Sequence, residues 1–420
     1  MAREMKDSGI EWIGEIPKEW RILKNKNCFT LRKEIVGNSF EGYDLLSLTK
    51  LGIKIKDKND FKGKVPENYG TYQNVKKGEL VLCLFDLDCS AVFSGLSKYN
   101  GIISPAYKVY NCKKNIFNNF AKYWFEYCFI NRKYKIYSKS LRYVVNSDDF
   151  GGIEMAVPLM EEQEKIANYL DKKVADIDLI IEKTKATIED YKKYKQSIIT
   201  EVVTKGLDPN VEARETDNIH IKFIPKLWEF KKIKYLFTIK KEIAGKKGFD
   251  VLSITQKGIK IKDITTNEGQ MAMDYSKYQF LNKGDFAMNH MDLLTGWVDI
   301  SKYDGVTSPD YRVFILNDEL NNSKVYYLYL MQMCYSNKIF YGLGQGVSNL
   351  GRWRLQADKF LNFSVPVPPL KEQQQIADYL DKKVSEIDDL ISKKESLINE
   401  MEEYKKSLIY ECVTGKKEVI

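Results

Sequence analysis

Histidine is scarce in this sequence, and its cysteines form no paired motif. The 420 residues contain two histidines, His220 and His290, and seven cysteines, none of them in a CxxC spacing. Structural zinc sites need clustered His and Cys ligands, and a disulfide framework needs an even set of cysteines. The sequence therefore predicts neither a metal site nor a disulfide-stapled fold.

Long apolar runs and catalytic motifs are also missing. No apolar run approaches the roughly 18 residues that suggest a membrane span, and the polar N-terminus has no signal-peptide core. We therefore expect a cytoplasmic protein without membrane contact. A Walker loop, a Ser-His-Asp set and a nuclease carboxylate–lysine cluster are not evident in the sequence. No catalytic residue is predicted.

Two kinds of segment resemble enzyme motifs but lack the required context. A nucleotide-binding loop needs a strand before its glycines and a helix after them, and the segment with Gly342, Gly344 and Gly346 has neither pattern. SPAY (104–107) and SPDY (308–311) resemble the tetrapeptide of amino-methyltransferases. Their third residue is Ala or Asp, however, and no glycine-rich cofactor motif lies upstream. We interpret both as turns at strand edges.

The composition is that of a globular protein with a basic surface. Hydrophobic residues make up 44% and charged residues 30%, and the length predicts two or more domains. The net charge is +8 and the sequence pI is about 8.8. The sign of this charge suits a polyanionic partner such as nucleic acid.

The second half of the sequence repeats the first. From Val157 and Val367 onward, the two copies keep a constant offset of 210 residues through Thr204 and Thr414, and about half of the positions are identical. Further matches pair 44–57 with 250–263, 95–110 with 299–314, and 16–20 with 224–228. The sequence thus predicts four segments: 1–156, 157–207, 208–366 and 367–420.

The segments 157–207 and 367–420 each predict one long helix. Prolines precede both helices, and no proline or glycine interrupts either run before Gly206 and Gly415. Apolar residues recur at a mean spacing of 3.5, which is the seam of a left-handed coiled coil. Roughly 40 residues give a rod on the order of 60 Å. The two rods are expected to pair antiparallel, although each stripe could instead pack on its own domain.

The segments 1–156 and 208–366 predict compact α+β domains. GIKIKD, present in both, alternates apolar residues with Lys and indicates a strand with a basic face. Residues 78–85 and 284–291 indicate buried strands that open into loops. Residues 120–137 and 324–340 each indicate one aromatic-rich helix.

Polar loops of these domains carry the candidates for DNA contact. Lys and Arg can hold phosphate, whereas Asn, Asp, Gln and His can address base edges. A solvated loop is the competing interpretation for any single one of these residues. The first domain supplies Lys50, Lys54, Asp86, Asp88, Ser90, Arg142 and Asn146. The second supplies Gln256, Lys257, Lys260, Asn289, His290, Asp292, Gln345, Ser348, Asn349, Arg352 and Arg354.

Several strings are similar to specificity subunits of Type I restriction-modification systems. They include EMKDSGIEWIGEIPKEW (4–20) and the two helix starts EEQEKIANYLDKKVADID and KEQQQIADYLDKKVSEID. The strings VVTKGLDPNV (202–211) and CVTGKKEV (412–419) also resemble this family. The repeated pattern EQ-x-x-IA-x-YLD is the most specific part, and the resemblance covers essentially the whole chain.

The resemblance implies an α+β fold in which two pseudo-repeated target recognition domains are joined by two long antiparallel coiled-coil helices. Each domain would read one half of an asymmetric bipartite site on double-stranded DNA, and the helices would set the spacer between the halves. The helices would also dock two methyltransferase subunits, to which motor-nuclease subunits add. The residues implied in partner binding are Glu162, Gln163, Ile166, Tyr169, Glu372, Gln373, Ile376 and Tyr379.

The same resemblance assigns the cofactors to the partners. S-adenosylmethionine, ATP and magnesium would belong to the methyltransferase and motor-nuclease subunits, and none to this chain. Two alternatives remain open: a methyltransferase with its own cofactor site, and a coiled-coil adaptor that reads no sequence. The second half also departs from the first, with NIHIKF (218–223) in place of GIEWIG and Asn289–Met291 in place of Cys83–Phe85.

Overall fold

The chain forms two compact units. The computed structural model describes residues 3–49, 52–56, 69–87, 94–138, 143–264, 274–346 and 353–419. One unit comprises Met1–Lys185 with Ser396–Ile420, and the other comprises Ala186–Glu395. Each unit therefore combines one strand-rich region with a stretch of both long helices. This grouping differs from four consecutive segments, so the segment boundaries stay a prediction.

Short strands and helices build the strand-rich region of the first unit. Its strands are β1 (Met5–Asp7), β2 (Glu15–Pro17), β3 (Arg21–Lys24), β4 (Phe29–Arg32), β5 (Leu46–Thr49), β6 (Gly52–Ile55), β7 (Gln73–Val75), β8 (Leu80–Leu82), β9 (Ser94–Leu96), β10 (Gly101–Ile103), β11 (Lys108–Cys112) and β12 (Glu154–Val157). Its helices are α1 (Asn25–Cys28), α2 (Asn118–Ile130) and α3 (Ser147–Gly152), and the long helix α4 (Met160–Lys205) follows.

The second strand-rich region follows the same order of elements. Its strands are β13 (Ala213–Glu215), β14 (Phe223–Pro225), β15 (Glu229–Lys232), β16 (Phe237–Lys240), β17 (Val251–Thr255), β18 (Gly258–Ile261), β19 (Gln279–Leu281), β20 (Phe286–Met288), β21 (Val298–Ile300), β22 (Gly305–Thr307), β23 (Arg312–Leu316) and β24 (Ser364–Val367). Its helices are α5 (Ile233–Leu236), α6 (Lys324–Ser336), α7 (Ile339–Leu343) and α8 (Ala357–Asn362), and the long helix α9 (Leu370–Val413) follows.

The two strand-rich regions contain sheets with the same order and direction of strands. The first contains the order β4-β11-β8-β9 and the second the order β16-β23-β20-β21, with antiparallel neighbours throughout. A second sheet of order β18-β17-β22-β19 has its counterpart in the hairpin β5-β6 and the pair β10-β7. A parallel bridge between Leu45 and Ile102 links the hairpin β5-β6 to the pair β10-β7. In the second region, β17 and β22 make the equivalent parallel pairing. The repeat in the sequence is thus a repeat of topology.

The buried faces of these sheets form the cores of the regions. In the first region Leu46, Leu48, Val81 and Ile103 lie in one buried cluster. In the second, Leu252, Ile254, Leu281 and Val313 form the equivalent cluster. Because side chains alternate across a strand, the loops at the strand ends are left to carry the polar residues.

The aromatic-rich helices end earlier than the sequence predicts. Helix α2 stops at Ile130, where Asn131 Nδ2 donates to the Tyr127 carbonyl at 2.9 Å and Arg132 turns left-handed with a φ of 51°. Helix α6 stops at Ser336, and Lys338 has a φ of 57°. The predicted continuous helices over 120–137 and 324–340 are therefore wrong, because a left-handed residue breaks the helical hydrogen-bond ladder.

The predicted GIKIKD strands are present as β6 and β18. Ile53 and Ile259 are buried, whereas Lys54 and Lys260 are exposed, as a basic face requires. The second isoleucine of each strand departs from the pattern, since Ile55 is 48% exposed. Only the first apolar residue of each strand is covered by the sheet.

The long helices begin and end where the sequence predicts. Helix α4 follows Pro158 and ends before Gly206, and helix α9 follows Pro369 and ends before Gly415. Both glycines have positive φ values, 81° and 72°. A Cβ at Gly206 would lie 2.8 Å from Glu372 Oε1, so glycine is required there by contact as well as by conformation.

Within each unit the two helices run antiparallel. In the first unit, Lys405 Nζ lies 2.8 Å from Asp178 Oδ1. A Cβ on Gly415, which follows α9, would lie 3.1 Å from the ring of Trp20, which itself bonds to Glu162 near the start of α4. In the second unit, Lys195 Nζ lies 2.5 Å from Asp388 Oδ1. Lys195 and Lys405, which are 210 residues apart and so occupy equivalent positions of the repeat, thus form equivalent ion pairs with the facing helix.

A tryptophan and a glutamate join each strand-rich region to the start of its helix. Trp20 Nε1 donates to Glu162 Oε2 at 3.0 Å, and Trp228 Nε1 donates to Glu372 Oε2 at 2.9 Å. In the first unit, Arg3 adds two further bonds to Glu162, at 2.6 and 3.0 Å. We call this arrangement the Trp–Glu joint.

The glutamine that follows each glutamate completes the joint from a buried position. Gln163 Oε1 accepts a hydrogen bond from the Phe117 amide at 2.8 Å, and Gln373 Oε1 accepts from the Ser323 amide at the same distance. Each glutamine also donates to the carbonyl of the proline that precedes the helix, Pro158 or Pro368. The joint therefore orients the first turn of α2 and of α6.

The string NIHIKF (218–223), which replaces GIEWIG of the first half, changes one contact of the second unit. In the first unit, Trp12 packs on Trp124 with ring centroids 5.7 Å apart, and its Nε1 donates to the Tyr137 hydroxyl. The corresponding stretch of the second unit leaves Ile219 88% exposed. The second region is thus anchored without a tryptophan at this point.

We predict that Trp228→Phe destabilises the protein more than Trp20→Phe. Both changes remove a hydrogen bond to a partly buried carboxylate, a loss of about 1–3 kcal/mol, but Glu162 keeps its two bonds from Arg3. Urea unfolding of both variants measures the difference. Equal losses of unfolding free energy would contradict the prediction.

Candidate nucleic-acid interface

The hairpin β17–β18 exposes three of the candidate residues in the second unit. Gln256 and Lys257 form its turn and Lys260 lies on β18, and all three are exposed. In the first unit, Lys54 occupies the equivalent exposed position on β6. The long amine side chains suit phosphate contact.

In the first unit, the loop after β8 pairs with the segment before α3. The Val145 amide donates to the Leu84 carbonyl at 2.8 Å, and the Leu87 amide donates to the Tyr143 carbonyl at 3.4 Å. Asp86, which has a φ of 51°, and Asn146 are therefore brought to neighbouring loops. Asn146 Oδ1 also caps α3 by accepting from the Asp148 and Asp149 amides.

In the second unit, the loop after β20 is held by its own polar side chains. Asn289 Oδ1 accepts from the Met291 and Asp292 amides, each at 3.2 Å. Asp292 Oδ1 accepts from the Leu294 and Thr295 amides at 3.1 and 3.0 Å. Two of the predicted contact residues therefore give the loop its shape, a role that the sequence did not indicate.

The same loop pairs with the segment that leads to α8. The Leu355 amide donates to the His290 carbonyl at 2.9 Å. One residue earlier, Arg354 forms a two-bond bridge with Gln345, at 3.0 and 3.1 Å. The structure thus brings Asn289, Asp292, Gln345 and Arg354 into two adjacent loops, and we call these the reading loops of the second domain.

Arg312 lies beneath the reading loops and was missed in the sequence. It is 6% exposed, its Nη2 donates to the Leu355 carbonyl at 2.9 Å, and its guanidinium stands 5.1 Å from the centre of the Phe360 ring. Burial, together with a smaller contribution from the charge of Arg354, lowers the pKa of Arg312 to about 10. Its place within the strand-forming string YRVF concealed this role.

His290 is a neutral residue in this setting. Burial lowers its pKa to about 3, with smaller contributions from the charges of Arg312 and Arg354. Its side-chain Nδ1 has no hydrogen-bond partner among the described residues. The His290 side chain is therefore buried within the loop and uncharged, so it does not offer a charged group to DNA.

A polar cavity of about 260 Å³ lies beside the reading loops. Asn289 and Met291 line one side and Lys262 another, and the rest of the lining includes Ser308 and Tyr311 of the SPDY turn. The Tyr311 amide donates to the Ser308 carbonyl at 3.0 Å, which makes this segment a turn, as predicted. In the first unit, Phe85 stacks on Tyr107 at 6.1 Å in the equivalent position.

The two loops thus present different chemistry on the same frame. Asn289 and Met291 in the second unit correspond to Cys83 and Phe85 in the first, and Cys83 belongs to the buried core there. Polar groups accept or donate specific hydrogen bonds, whereas an aromatic ring offers apolar contact. The two loops therefore differ in the contacts that they can offer to a ligand.

Seven of the predicted DNA-contact residues lie outside the described residues. They are Lys50, Asp88, Ser90, Arg142, Ser348, Asn349 and Arg352. The DNA-contact role of all the candidates stays a prediction.

The residues predicted to bind partners lie mainly inside the Trp–Glu joint. Gln163, Ile166, Gln373 and Ile376 are at most 1% exposed, and Glu162 and Glu372 bond to the tryptophans. Buried side chains do not present a surface to another protein, so these residues contact the recognition region of their own chain. Tyr169 is half-buried and Tyr379 is 36% exposed. For these two, direct partner binding stays a prediction.

The glycines at 342–346 are not arranged as a nucleotide-binding loop. Gly342 lies within α7, and a Cβ on Gly346 would stand 3.2 Å from the Trp353 ring. Among the described residues, no group of three or more His, Cys, Asp or Glu side chains is placed to hold a metal ion. Within the same residues, no helix is both long and apolar enough to cross a membrane.

Residues 225–400 match the family model of the type I restriction modification DNA specificity domain. The fold is similar to a chain in a structure of complex assembly and conformational transition of the type I R-M system, with a TM-score of 0.70 and 12% identity over 96% of this chain and 99% of that one. It is also similar to the HsdS subunit from Thermoanaerobacter tengcongensis, with a TM-score of 0.51 and 12% identity over 96% and 98%.

These similarities confirm the resemblance seen in the sequence. They also confirm the α+β fold with two pseudo-repeated domains and two long antiparallel helices. The range 225–400, which matches the DNA specificity family model, contains the described reading loops of the second domain.

We predict that His290 makes the protein less stable in mild acid. Between its folded pKa of about 3 and its usual value near 6.5, the unfolded chain binds a proton that the folded chain does not. Stability therefore falls as the pH falls through this window, and His290→Leu should lessen the fall. Melting temperatures between pH 7.5 and 4.5 test this. His220→Asn, at the exposed second histidine, is the control and should behave as wild type.

Proposed function

We infer that this chain is the DNA-recognition subunit of a type I restriction-modification system, as its specificity domain at residues 225–400 indicates. Each strand-rich region reads one half of a bipartite site. The observation that carries this is the repeated frame with unlike loops: Val145 pairs with Leu84 as Leu355 pairs with His290, yet the exposed side chains differ. Loops of different composition on the same backbone arrangement suit a DNA site whose two halves differ in sequence.

The long helices set the spacer between the two half-sites. They are continuous from Met160 to Lys205 and from Leu370 to Val413, without internal proline or glycine. Each Trp–Glu joint ties a recognition region to a helix start, so a region cannot rotate freely about its helix. A rigid connection of this kind gives a defined separation of two DNA contacts.

Two methyltransferase subunits dock on the helices, and motor-nuclease subunits join them. Of the residues predicted to bind partners, Tyr169 and Tyr379 lie outside the Trp–Glu joint and are partly exposed. Tyrosine is favoured in protein interfaces because it combines an apolar ring with a hydrogen-bonding hydroxyl. These two residues are our candidates for the docking contact.

The chain itself is non-catalytic and holds no cofactor. S-adenosylmethionine belongs to the methyltransferase subunits, and ATP and magnesium belong to the motor-nuclease subunits. The glycine segment at 342–346, with Gly342 inside a helix, does not favour a cofactor loop in this chain. Calorimetric titration of the purified chain with S-adenosylmethionine should show no binding, and saturable binding would favour the methyltransferase alternative.

We predict that deletion of the gene abolishes one bipartite adenine-methylation motif in the source cell. The two half-sites and the spacer would be read directly from the lost motif by genome-wide methylation sequencing. If no motif is lost, co-expression with a candidate methyltransferase subunit in a naive host decides the question. Continued absence of a new motif there would refute the proposed function.

We predict that a four-residue insertion in helix α4 lengthens the tolerated spacer and leaves both half-sites unchanged. Four residues add about one helical turn, or roughly 6 Å. The insertion should follow Lys185, away from the Trp–Glu joint, and methylation sequencing gives the new motif. A changed half-site with the original spacer would contradict the ruler role.

A further inference from the structure

The second recognition domain contains a buried cation, Arg312, whereas the buried Glu79 of the first domain is paired with Arg32. Arg312 is 6% exposed, and among the described residues no carboxylate forms an ion pair with it. A buried cation without a counter-ion is costly. The fold must therefore use Arg312 for something that an apolar residue cannot supply.

The contacts of Arg312 are directed at the reading loops. Its Nη2 donates to the Leu355 carbonyl at 2.9 Å, and its other terminal nitrogen lies 3.9 Å from Met288 Sδ. The guanidinium stacks on Phe360. These three contacts hold the planar guanidinium in place, so its hydrogen bond fixes the position and direction of the Leu355 carbonyl.

His290 supports the same segment from the neighbouring loop. Its carbonyl accepts the Leu355 amide at 2.9 Å, and its side chain is 5% exposed. Both polar groups of the Leu355 backbone are thus held, one by His290 and one by Arg312. The next residue back is Arg354, which is exposed and bridged to Gln345.

The first domain provides an internal comparison. Leu84 stands where His290 does and pairs with the Val145 amide at 2.8 Å, while Lys108 takes the strand position of Arg312. The loop pairing therefore forms without a histidine or an arginine. Arg312 and His290 of the second domain therefore hold the backbone of Leu355 in a fixed direction, which the pairing of the two loops does not itself require.

We propose that Arg312 and His290 are positioning residues that fix the reading loops and thereby set base discrimination at the second half-site. The inference rests on the proposed function. Neither residue touches DNA; they act through the backbone of Leu355 on Arg354 and Gln345. Specificity at the first half-site does not depend on them.

The test is the methylation motif written by the complete complex in cells. Arg312→Lys keeps the charge but loses the planar fork, and it installs the first-domain residue. We expect about tenfold more methylation at sites with one mismatch in the second half-site, the order of one lost base contact. The first half-site should stay unchanged.

Two control variants separate positioning from mere loss of stability. Val298→Ala removes buried volume from β21 of the same domain, so it should lower methylation everywhere and keep the motif. Lys108→Met, at the equivalent position of the first domain, should leave the second half-site intact. If Arg312→Lys behaves as Val298→Ala does, the inference is overturned.

His290→Leu decides the case in which Arg312→Lys gives no methylation. Leucine occupies this position in the first domain, so the variant is expected to fold and to relax the second half-site. An unchanged motif in this variant overturns the inference. If the wild-type complex methylates no bipartite motif, the proposed function is overturned and this inference with it. If the wild-type complex methylates its normal motif and the Arg312→Lys complex methylates the same motif, the inference alone is overturned.

Discussion

The hydrogen bonds at the start of each long helix are the constraint on which the recognition regions depend. Trp20 with Glu162, and Trp228 with Glu372, bind the strand-rich part of a unit to the helix at 3.0 and 2.9 Å. The neighbouring glutamines, buried completely or nearly so, orient α2 and α6 through backbone groups. Since a buried amide must satisfy its hydrogen bonds, the position of each region relative to its own helix is closely specified.

On this common frame, the two regions carry different surfaces. The sheets repeat in order and direction, and so does the pairing between the loop after β8 or β20 and the segment before α3 or α8. The variable positions lie at the ends of buried strands, and some of them, such as Cys83 and His290, are themselves buried. In one unit the position holds an apolar stack, and in the other it holds amide and carboxylate groups that shape the loop.

The repeat also shows why strings of high similarity need not be surfaces. Glu162, Gln163, Ile166 and their counterparts match closely between the halves, and the family resemblance implied that they bind partner subunits. The structure uses them to join helix and sheet within the chain. Duplication preserves such contacts because both halves need the same joint. Of the residues predicted to bind partners, Tyr169 and Tyr379 lie outside this joint and are partly exposed.

Local signals determined the two long helices, because a helix start at Pro158, a stop at Gly206 and a 3.5-residue spacing depend only on neighbouring residues. Comparison of the two halves of the sequence determined the repeat. The end of α2 at Ile130 escaped prediction, since Arg132 is not a typical left-handed residue. The tertiary structure alone decided the partners of Glu162 and the burial of Arg312 and His290. Those contacts join residues 20 to more than 100 positions apart, and their existence depends on sheet register and packing, which no local pattern encodes.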